Sequence, residues 1–549
     1  MSSNGKLTRL ERMMRKATGA PMSRRGMLKT AAATAGAFTV LQGSRYGLSQ
    51  DIVGAASQVD LNGVTLKVFT QTGPFISGPI KAHAPEFQEV TGGVVEAVEA
   101  PNADLFARAQ QVATTGSGDF DILLLANTWM PDFVNLGYVV PLQPWIDKDV
   151  AANDELLAWD DIPDGIKRKN SWSNQIQTFV VDNDNHTMFY RKDVLSDPKW
   201  QEAYKTATGK DLPNPPQTLT ELSEVAKFFS PSGGGAAWSD AGEGYGYITC
   251  VLRGQQSYWY SYSWTAPYSV VPTENAPDKI PGIYLYDPDM NPIINTEGYV
   301  RGLTEFVDII NTAMKPGLDS DRATVIEDMI NGTALTALDW GDTGPASVSE
   351  RSVVKGKLGF ALSPGVTEYY DWQTKTWVTM PEGQIHQTPA HAYNGWSYYI
   401  TNQTKNPDAA WTWIKWHASP GISSVDVASP DSGYQPWRKS HSTNLEPWIS
   451  AGWEEADAKA YIDNILAATD HPNAVFDPRI PGAARYQETL ELYPNQAIAG
   501  ELKPQEAMDK CAADWNAITD ELGRDKQVAA YRAHPPRGPR TPTEPPPPA

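Results

Sequence analysis

Segments that favour strands alternate with segments that favour helices over the first part of the chain, and this order constrains the fold more than any other feature. Short apolar runs predict buried strands, and amphipathic stretches between them predict helices. The predicted elements are a strand over 64–70, a helix over 79–91 ended by Gly92-Gly93, a strand over 94–98, a helix over 103–114, a strand over 121–125 and a helix over 129–136. Strands separated by such helices favour βαβ units, and therefore a parallel sheet covered on both faces.

The first 50 residues carry a signal for export. The run Ser23-Arg24-Arg25-Gly26-Met27-Leu28-Lys29 precedes a weakly apolar stretch over 30–41. It resembles the twin-arginine (Tat) pattern Ser-Arg-Arg-x-Phe-Leu-Lys, with Met27 where Phe is usual. The apolar stretch is about 12 residues long, and a membrane anchor needs roughly 20. A surface helix that starts with two arginines is the plainer alternative. We expect a Tat-type signal over 1–55, cleaved near residues 49–57, and a periplasmic protein with no lipid anchor because no cysteine lies there.

The charge of the remaining chain excludes several classes of partner. Residues 1–50 hold nine Lys/Arg and one acidic residue, a net charge of +8. The whole chain has a net charge of −20, so the remaining residues carry −28. A protein region this acidic lacks the net positive charge that attracts nucleic acid or anionic lipid. Two cysteines, Cys250 and Cys511, are far apart in sequence. They can form a disulfide in an oxidising compartment, or remain two buried thiols.

Five motifs occur in the order found in one family of proteins. They are Gly118-Asp-Phe-Asp-Ile-Leu, the run 129–142 that ends in Gly-Tyr-Val-Val-Pro-Leu, Thr187-Met-Phe-Tyr-Arg-Lys-Asp, Pro216-Gln-Thr-Leu-Thr-Glu-Leu and Asn331-Gly-Thr-Ala-Leu-Thr-Ala-Leu. Together they resemble bacterial ABC-transporter solute-binding proteins of the maltose-binding type (family 1), over residues of about 64 to 440. Leu219 stands where that family usually has Trp.

The resemblance implies an α/β protein with the two-lobed periplasmic binding protein fold (type II) and a ligand cleft between the lobes. We expect the first lobe over 60–180, completed by part of 300–400, and a second lobe with aromatic insertions over 181–400. A helical segment over 401–532 is expected to pack across both lobes. Residues 533–549 are rich in proline and are expected to be disordered.

Enzyme and metal motifs are mostly missing from the sequence. It has no phosphate-binding Gly-x-x-x-x-Gly-Lys loop, no His-Glu-x-x-His, no Gly-x-Ser-x-Gly and no Cys-x-x-Cys. The runs 182–185 and 287–291 place oxygen-bearing side chains at alternate positions, as a calcium loop does, but neither continues to the required Gly and Glu. Turn formation explains both runs better. We therefore expect a protein that binds a solute, without a metal, a cofactor or catalysis.

Candidate ligand-binding residues flank the predicted strands. In open α/β sheets ligands bind beyond the carboxyl ends of strands, and carboxylate and amide side chains can bridge sugar hydroxyls. Asp184 and His186 precede the Tyr-Arg-Lys-Asp strand, where the resembled family places residues that line its cleft. Trp340 can stack on a sugar and Asp342 can accept hydrogen bonds from hydroxyls. The remaining candidates that follow or precede strands are Gln71, Asn127, Trp129, Asn394, Gly395 and Trp396.

Two further candidates come from other patterns. The run 258–264 alternates aromatic residues as a strand would, which puts Trp264 on one face with three tyrosines; core packing explains it equally well. The segment 393–396 resembles the family's second-lobe Gly-Gly segment, with Asn394 in place of the first Gly. Arg438 is a fainter candidate that a salt bridge would also explain.

The favoured interpretation is a monomeric periplasmic receptor that captures a neutral carbohydrate or polyol and delivers it to the transmembrane subunits of an ABC permease. An exported glycoside hydrolase is the alternative, with Asp184 and Asp342 as its two carboxylates about 5 to 10 Å apart. A receptor for anions or peptides would need convergent Arg or Lys side chains, and the candidate residues contain almost none. The sequence does not identify the sugar.

Overall fold

A computed structural model describes residues 59–173, 175–233, 235–272, 275, 284–391 and 395–533. The predicted export signal with its cleavage region, the Pro-rich tail and the candidate Asn394 lie outside the described residues. Among the described helices, none is both long and apolar enough to cross a membrane. Cys250 and Cys511 are buried free thiols.

Fifteen strands are described. They are β1 (Thr65–Gln71), β2 (Val94–Ala100), β3 (Ile122–Ala126), β4 (Val139–Val140), β5 (Ser171–Trp172), β6 (Gln175–Ile176), β7 (Phe179–Val180), β8 (His186–Arg191), β9 (Thr336–Trp340), β10 (Leu358–Ala361), β11 (Glu368–Asp371), β12 (Thr376–Thr379), β13 (Ala390–His391), β14 (Trp396–Thr401) and β15 (Val475–Phe476).

The α-helices of the described residues connect these strands and fill the C-terminal part. They are α1 (Ser77–Thr91), α2 (Asn102–Thr115), α3 (Met130–Asn135), α4 (Gln143–Ala151), α5 (Asp164–Lys169), α6 (Lys192–Leu195), α7 (Pro198–Thr208), α8 (Leu219–Phe228), α9 (Ser257–Ser269), α10 (Glu297–Ala313), α11 (Arg322–Ile330), α12 (Thr343–Ala346), α13 (Pro407–His417), α14 (Pro420–Ala428), α15 (Ser440–Thr443), α16 (Glu446–Ser450), α17 (Glu455–Thr469), α18 (Ala483–Ile498), α19 (Pro504–Leu522) and α20 (Arg524–Ala533). Short 3-10 turns cover Asn127–Trp129, Trp159–Asp161, Pro231–Gly233 and Ala236–Trp238.

The first sheet has the strand order β2-β1-β3-β14-β4, with β7 paired to β14. Strands β1, β2 and β3 are parallel and are joined by α1 and α2, so the predicted βαβ units are confirmed. All five residues of β3 are buried, as its unbroken apolar run predicted. The sheet is not purely parallel, because β14 runs antiparallel to β3 from Trp396 opposite Ala126. Trp396 therefore lies in the same sheet as β1 to β3, although the segment 393–396 resembles a second-lobe segment of the family.

The second sheet is small and antiparallel, in the order β10-β8-β9. His186 at the start of β8 lies opposite Trp340 at the end of β9. Two parallel bridges, Tyr245 to Ala334 and Ile248 to Ala337, extend it.

Residues 181–185 connect the two sheets and are called the crossover here. The Val181 amide still donates to the Trp396 carbonyl in the first sheet (3.0 Å), and β8 of the second sheet begins at His186. Five residues are therefore all that separate β7 from β8 along the chain. The side chains of the crossover lie where the two lobes meet.

The aromatic run 258–264 is helical, and its prediction as a strand was wrong. It forms part of α9, in which all 13 residues are buried. Helix α10 approaches it closely at two glycines: a Cβ on Gly298 would lie 2.3 Å from the Tyr268 carbonyl oxygen, and one on Gly302 would lie 2.4 Å from that of Trp264. Tertiary packing of two helices, which alternation along one segment cannot reveal, decides this conformation.

Candidate functional site

Several chain segments deliver polar side chains to the crossover. Because β8 and β9 are antiparallel with His186 opposite Trp340, the residues before β8 and those after β9 lie at one edge of the second sheet. The end of β3 adjoins the same connection, since the Asn127 amide donates to the Gly395 carbonyl (3.1 Å). Gly395 has a φ of +84°, and a Cβ there would lie 2.3 Å from the Asp182 carbonyl oxygen. Only glycine fits this close approach.

Gln435 holds the acidic residues of the crossover. Its backbone amide donates to Asp182 (2.7 Å), and its side-chain amide donates to Asp184 (2.9 Å). Its Oε1 accepts from the amide of Asn185 (3.2 Å). Gln435 was not among the candidates, because a lone glutamine in the run 434–438 carries no signal of this role.

Burial changes the protonation of these two carboxyls. Burial, together with the charge of Asp184, raises the pKa of Asp182 well above its usual range. Burial and the charge of Asp342 raise the pKa of Asp184 to about 7. No cationic nitrogen lies within 4 Å of either carboxyl among the described residues. Both carboxyls are therefore protonated more readily than exposed ones, and both can bond to hydroxyls.

An arginine whose side chain is 11% exposed pairs with the acids of the second sheet. Arg322, the first residue of α11, donates to Asp339 on β9 (2.9 Å) and also to Asp342. The Tyr260 hydroxyl donates to Asp339 (2.8 Å). Burial raises the pKa of Asp342 to about 6, against the opposing effect of Arg322. The sequence identified Asp342 by its place after a strand and missed Arg322, which is distant in sequence.

Trp340 and His186 are in contact at the same edge, with their rings tilted by 55°. Their ring centroids are 4.0 Å apart. The Trp340 indole N–H donates to Gln256 (3.0 Å), and His186 Nδ1 lies 2.8 Å from the Ser263 hydroxyl. Burial lowers the pKa of His186 to about 3, so the imidazole is neutral. The pair is a preformed aromatic wall beside the crossover acids.

Four buried polar atoms around this edge have no hydrogen-bond partner in the described part of the chain. They are Asn185 Oδ1, His186 Nε2, His391 Nδ1 and the hydroxyl of Tyr461. Tyr461 lies on α17, within electrostatic range of the acids of the crossover. An unpaired buried polar atom costs about 1–3 kcal/mol, and native proteins contain few of them. The four atoms at this edge are available to a ligand with many hydrogen-bonding groups.

The remaining candidates have more varied surroundings. The Trp129 indole N–H donates to Gln487 (3.0 Å) at the end of β3. The Asn127 side chain accepts from the hydroxyl of Thr178 (3.0 Å) and donates to the Lys169 carbonyl (3.0 Å). Gln71 follows the first strand, and its buried Oε1 has no partner among the described residues. Trp396 opens β14 and is buried in the first sheet.

Two candidates lie in packed structure and have no contact with the crossover acids. Trp264 donates from its indole N–H to Tyr247 (3.0 Å) and packs on Phe306. Arg438 is buried and donates to the carbonyl oxygens of Ala418 (2.7 Å) and Leu157 (3.2 Å). These contacts favour structural roles for both residues.

The calcium-like runs and other metal sites gain no support. Asp287 Oδ1 accepts from the amides of Asp289 (2.9 Å) and Asn291 (2.8 Å), which is a turn. Within the described ranges no group of three or more His, Cys, Asp or Glu side chains could hold a metal ion.

The fold and this edge define a class: a two-lobed α/β binding protein with polar and aromatic side chains where the lobes meet. Residues 82–458 match the sequence model of the family described as bacterial extracellular solute-binding protein, and the chain belongs to that family. The resemblance found in the sequence is therefore confirmed.

Solved structures with the same fold share little sequence with this chain. A solute-binding protein of Agrobacterium radiobacter K84 in complex with ribitol has a TM-score of 0.65 and 21% identity, over 84% of this chain and 100% of that one. Maltose-bound MalE3 of T. maritima has a TM-score of 0.62 and 18% identity, over 83% and 100%. A protein of Agrobacterium vitis S4 with bound D-mannitol has a TM-score of 0.63 and 16% identity, over 84% and 99%.

One curated relative is also similar in sequence. GlcNAc-binding protein A of Photobacterium profundum is 23% identical over 241 residues, which are 40% of this chain. The match spans 44% of the length of that relative.

Proposed function

We propose that the protein is the extracytoplasmic receptor of an ABC importer, and that it captures a neutral carbohydrate or polyol at the crossover. The observation that carries this proposal is the group of unpaired buried polar atoms beside Asp182 and Asp184, with the aromatic wall of Trp340 next to them. A sugar or polyol supplies many hydroxyls, each able to donate and accept. Ribitol, mannitol and maltose occur in structures of similar fold.

The same proposal includes the route of the protein and its partners. A Tat signal exports it, cleavage near residues 49–57 releases it into the periplasm without a lipid anchor, and the monomer delivers its ligand to the transmembrane subunits of the permease. Closure of the lobes on the ligand shifts a pre-existing equilibrium between open and closed states. The acidic net charge of the chain is consistent with a protein that binds neither nucleic acid nor anionic lipid.

Contacts of the two carboxyls favour binding over glycoside hydrolysis. A hydrolase needs one carboxylic acid and one carboxylate aimed at a scissile bond. Here Asp342 is bound to Arg322, and Asp184 accepts from Gln435. We propose no catalytic role for either residue.

A thermal-shift screen with the purified mature protein tests the proposal. Ribitol, D-mannitol, D-tagatose, maltose and common mono- and oligosaccharides are compared with amino acids and inorganic anions. A ligand at 100 times its Kd adds about 2.7 kcal/mol to the stability, so at least one sugar or polyol should raise the melting temperature. No shift with any carbohydrate would contradict the proposal, and release of product from oligosaccharides would support the hydrolase instead.

A further inference from the structure

Two cations, the buried Lys169 and the half-buried Arg479, lie together at the end of β3. Lys169 is the last residue of α5 and is 9% exposed. Arg479 follows β15, and its Nη1 donates to the carbonyl oxygens of Lys169 (2.7 Å) and Ser171 (3.1 Å). The guanidinium is thereby anchored beside the backbone from which the Lys169 side chain extends.

Neither cation has an acidic partner. Within the described residues no carboxylate oxygen lies within 4 Å of Lys169 Nζ or of the Arg479 guanidinium. Lys169 Nζ donates to Asn183 (2.7 Å) and lies 5.2 Å from the ring centroid of Phe476. Among the described residues, the buried Arg191 and Arg438 each form an ion pair, with Asp193 and Asp161. An unpaired buried charge is costly, so this arrangement needs an explanation.

Burial acts on both groups. Burial lowers the pKa of Arg479 to about 10. Burial also lowers the pKa of Lys169 to about 8 against the opposing attraction of Asp184, and the charge of Arg479 acts in the same direction as burial. Both side chains remain cationic at neutral pH, and the charge of Arg479 disfavours that of Lys169. A negative charge nearby would stabilise the cationic form of both side chains.

The cation pair adjoins the proposed ligand site. The Asn127 side-chain amide donates to the same Lys169 carbonyl (3.0 Å), and the Thr128 hydroxyl donates to the carbonyl of Pro478 (3.3 Å). On the other side, the bond from Lys169 to Asn183 reaches the crossover. The pair therefore lies between the carboxyl end of β3 and the crossover acids. An anionic ligand needs convergent cations, and Lys169 and Arg479 place two beside the proposed ligand site.

We propose that the ligand is a sugar or polyol that carries one carboxylate, which Arg479 binds with the help of Lys169. This inference rests on the proposed function and specifies its ligand, replacing the neutral carbohydrate by a sugar acid. The planar guanidinium matches a carboxylate with two parallel hydrogen bonds. A single negative charge fits better than a phosphate dianion, because Asp182 and Asp184 lie beyond Lys169. The hydroxyls of the ligand then meet the unpaired polar atoms of the crossover.

Isothermal titration with matched ligand pairs tests the inference on the mature protein. The pairs are D-gluconate with D-sorbitol, D-glucuronate with D-glucose, and D-galacturonate with D-galactose. At least one acid should bind about 10-fold or more tightly than its neutral partner, as expected for a charge-assisted hydrogen bond. Arg479→Gln should abolish that preference. Arg479→Lys should retain part of it, because the charge remains and the two-bonded geometry is lost.

Arg485→Gln is the matched control, because Arg485 is six residues further along, is exposed and pairs with Glu521 (2.6 Å). It should keep the full preference for the acid. Melting curves establish that each variant is folded, and the comparison in the unmodified protein holds even if Arg479→Gln does not fold. Equal or tighter binding of all the neutral partners would overturn the inference and leave the receptor function intact. A preference that persists in Arg479→Gln would also overturn it. If no carbohydrate of either kind binds, the proposed function itself is wrong.

Discussion

Two buried groups of charged side chains, one inside the first lobe and one at the crossover, differ in how their charges are compensated. In the first lobe, His83 has a carboxylate at each ring nitrogen, Glu86 at 2.7 Å and Asp426 at 3.0 Å. Burial by itself would lower the pKa of His83, but Asp426 and Glu86 raise it to about 10. At the crossover, Asp182 and Asp184 bond to the amides of Gln435.

The charged groups around His83 compensate each other within the protein and stabilise the fold. The acids at the crossover are not compensated in this way and are available to a ligand. Opposite charges in the first lobe stabilise each other in the absence of any ligand. The crossover acids face unpaired polar atoms instead, and the raised pKa of Asp184 shows that its charge is disfavoured there. Substitutions in the first group should therefore reduce stability, and those in the second should reduce binding.

The largest effect on stability is expected from Asp426→Asn. It leaves the His83 cation buried with only the partly exposed Glu86 beside it, and breaking a buried pair costs about 3 kcal/mol or more. Urea denaturation should show this loss at pH 7, while the affinity of the folded protein for its ligand changes little. The exposed Asp431→Asn is the control and should leave the unfolding midpoint unchanged. Equal midpoints for both variants would contradict the assignment of the His83 group to stability.

A smaller loss is expected from Gly395→Ala. The new Cβ would lie 2.3 Å from the Asp182 carbonyl oxygen at a φ of +84°, so the crossover must shift at a cost of about 1–3 kcal/mol. Ligand binding should weaken with it. Gly356→Ala separates the two causes, because Gly356 has a φ of +73° with no atom within 4 Å of its added Cβ. A similar loss of stability in both variants, with binding retained, would argue against the close approach.

The pH dependence of stability should change in Asp184→Asn. The pKa of Asp184 is raised to about 7, chiefly by burial, so its contribution is fully present below about pH 4 and is lost as the pH rises to 7. We therefore compare the free energy of unfolding of the variant with that of the parent at two pH values. Variant minus parent should be larger at pH 7.5 than at pH 4.5, by about 1 kcal/mol or more. Exposed Asp470→Asn should follow the parent at both pH values. If the free energy of unfolding of the variant minus that of the parent decreased with rising pH, the predicted sign would be wrong.

The smallest effect is expected from Tyr461→Phe. Removing a buried hydroxyl without a partner should stabilise the ligand-free protein by about 0.5–1 kcal/mol, yet reduce the affinity for a ligand that bonds to it. Tyr398→Phe in the first lobe is the matched control, since the Tyr398 hydroxyl lies 3.2 Å from His417 Nδ1. That variant should lose stability and keep its affinity. Thermal melts with and without ligand measure both quantities, and opposite signs to these would refute the comparison.

Local patterns predicted the parts of the fold that depend on neighbouring residues. The buried run of β3 and the helix ended by Gly92 are set by hydrophobicity and by one residue with a positive φ, and the structure has both. The run 258–264 has the alternation of a strand but is a helix, because Gly298 and Gly302 admit a second helix against it. That contact lies more than 30 residues away in sequence.

In the candidate site, too, some residues could be predicted from the sequence and others could not. Asp342 follows the carboxyl end of β9, where ligands bind in open α/β sheets. Asp184 and His186, at the start of β8, were chosen from the family resemblance. Gln435, Arg322 and Arg479 come from other parts of the chain and meet there only after folding. A single polar residue without a motif carries no sequence signal for such a meeting.

A crystal structure of the protein with the sugar or polyol that stabilises it most would test the central claim directly. We expect hydroxyl groups of the ligand within about 3 Å of Asn185 Oδ1, His391 Nδ1 and the Tyr461 hydroxyl, the hydrogen-bond range, and a sugar ring or carbon chain packed against Trp340. Ligand bound elsewhere, with these atoms still without a partner, would contradict the claim that the crossover is the binding site.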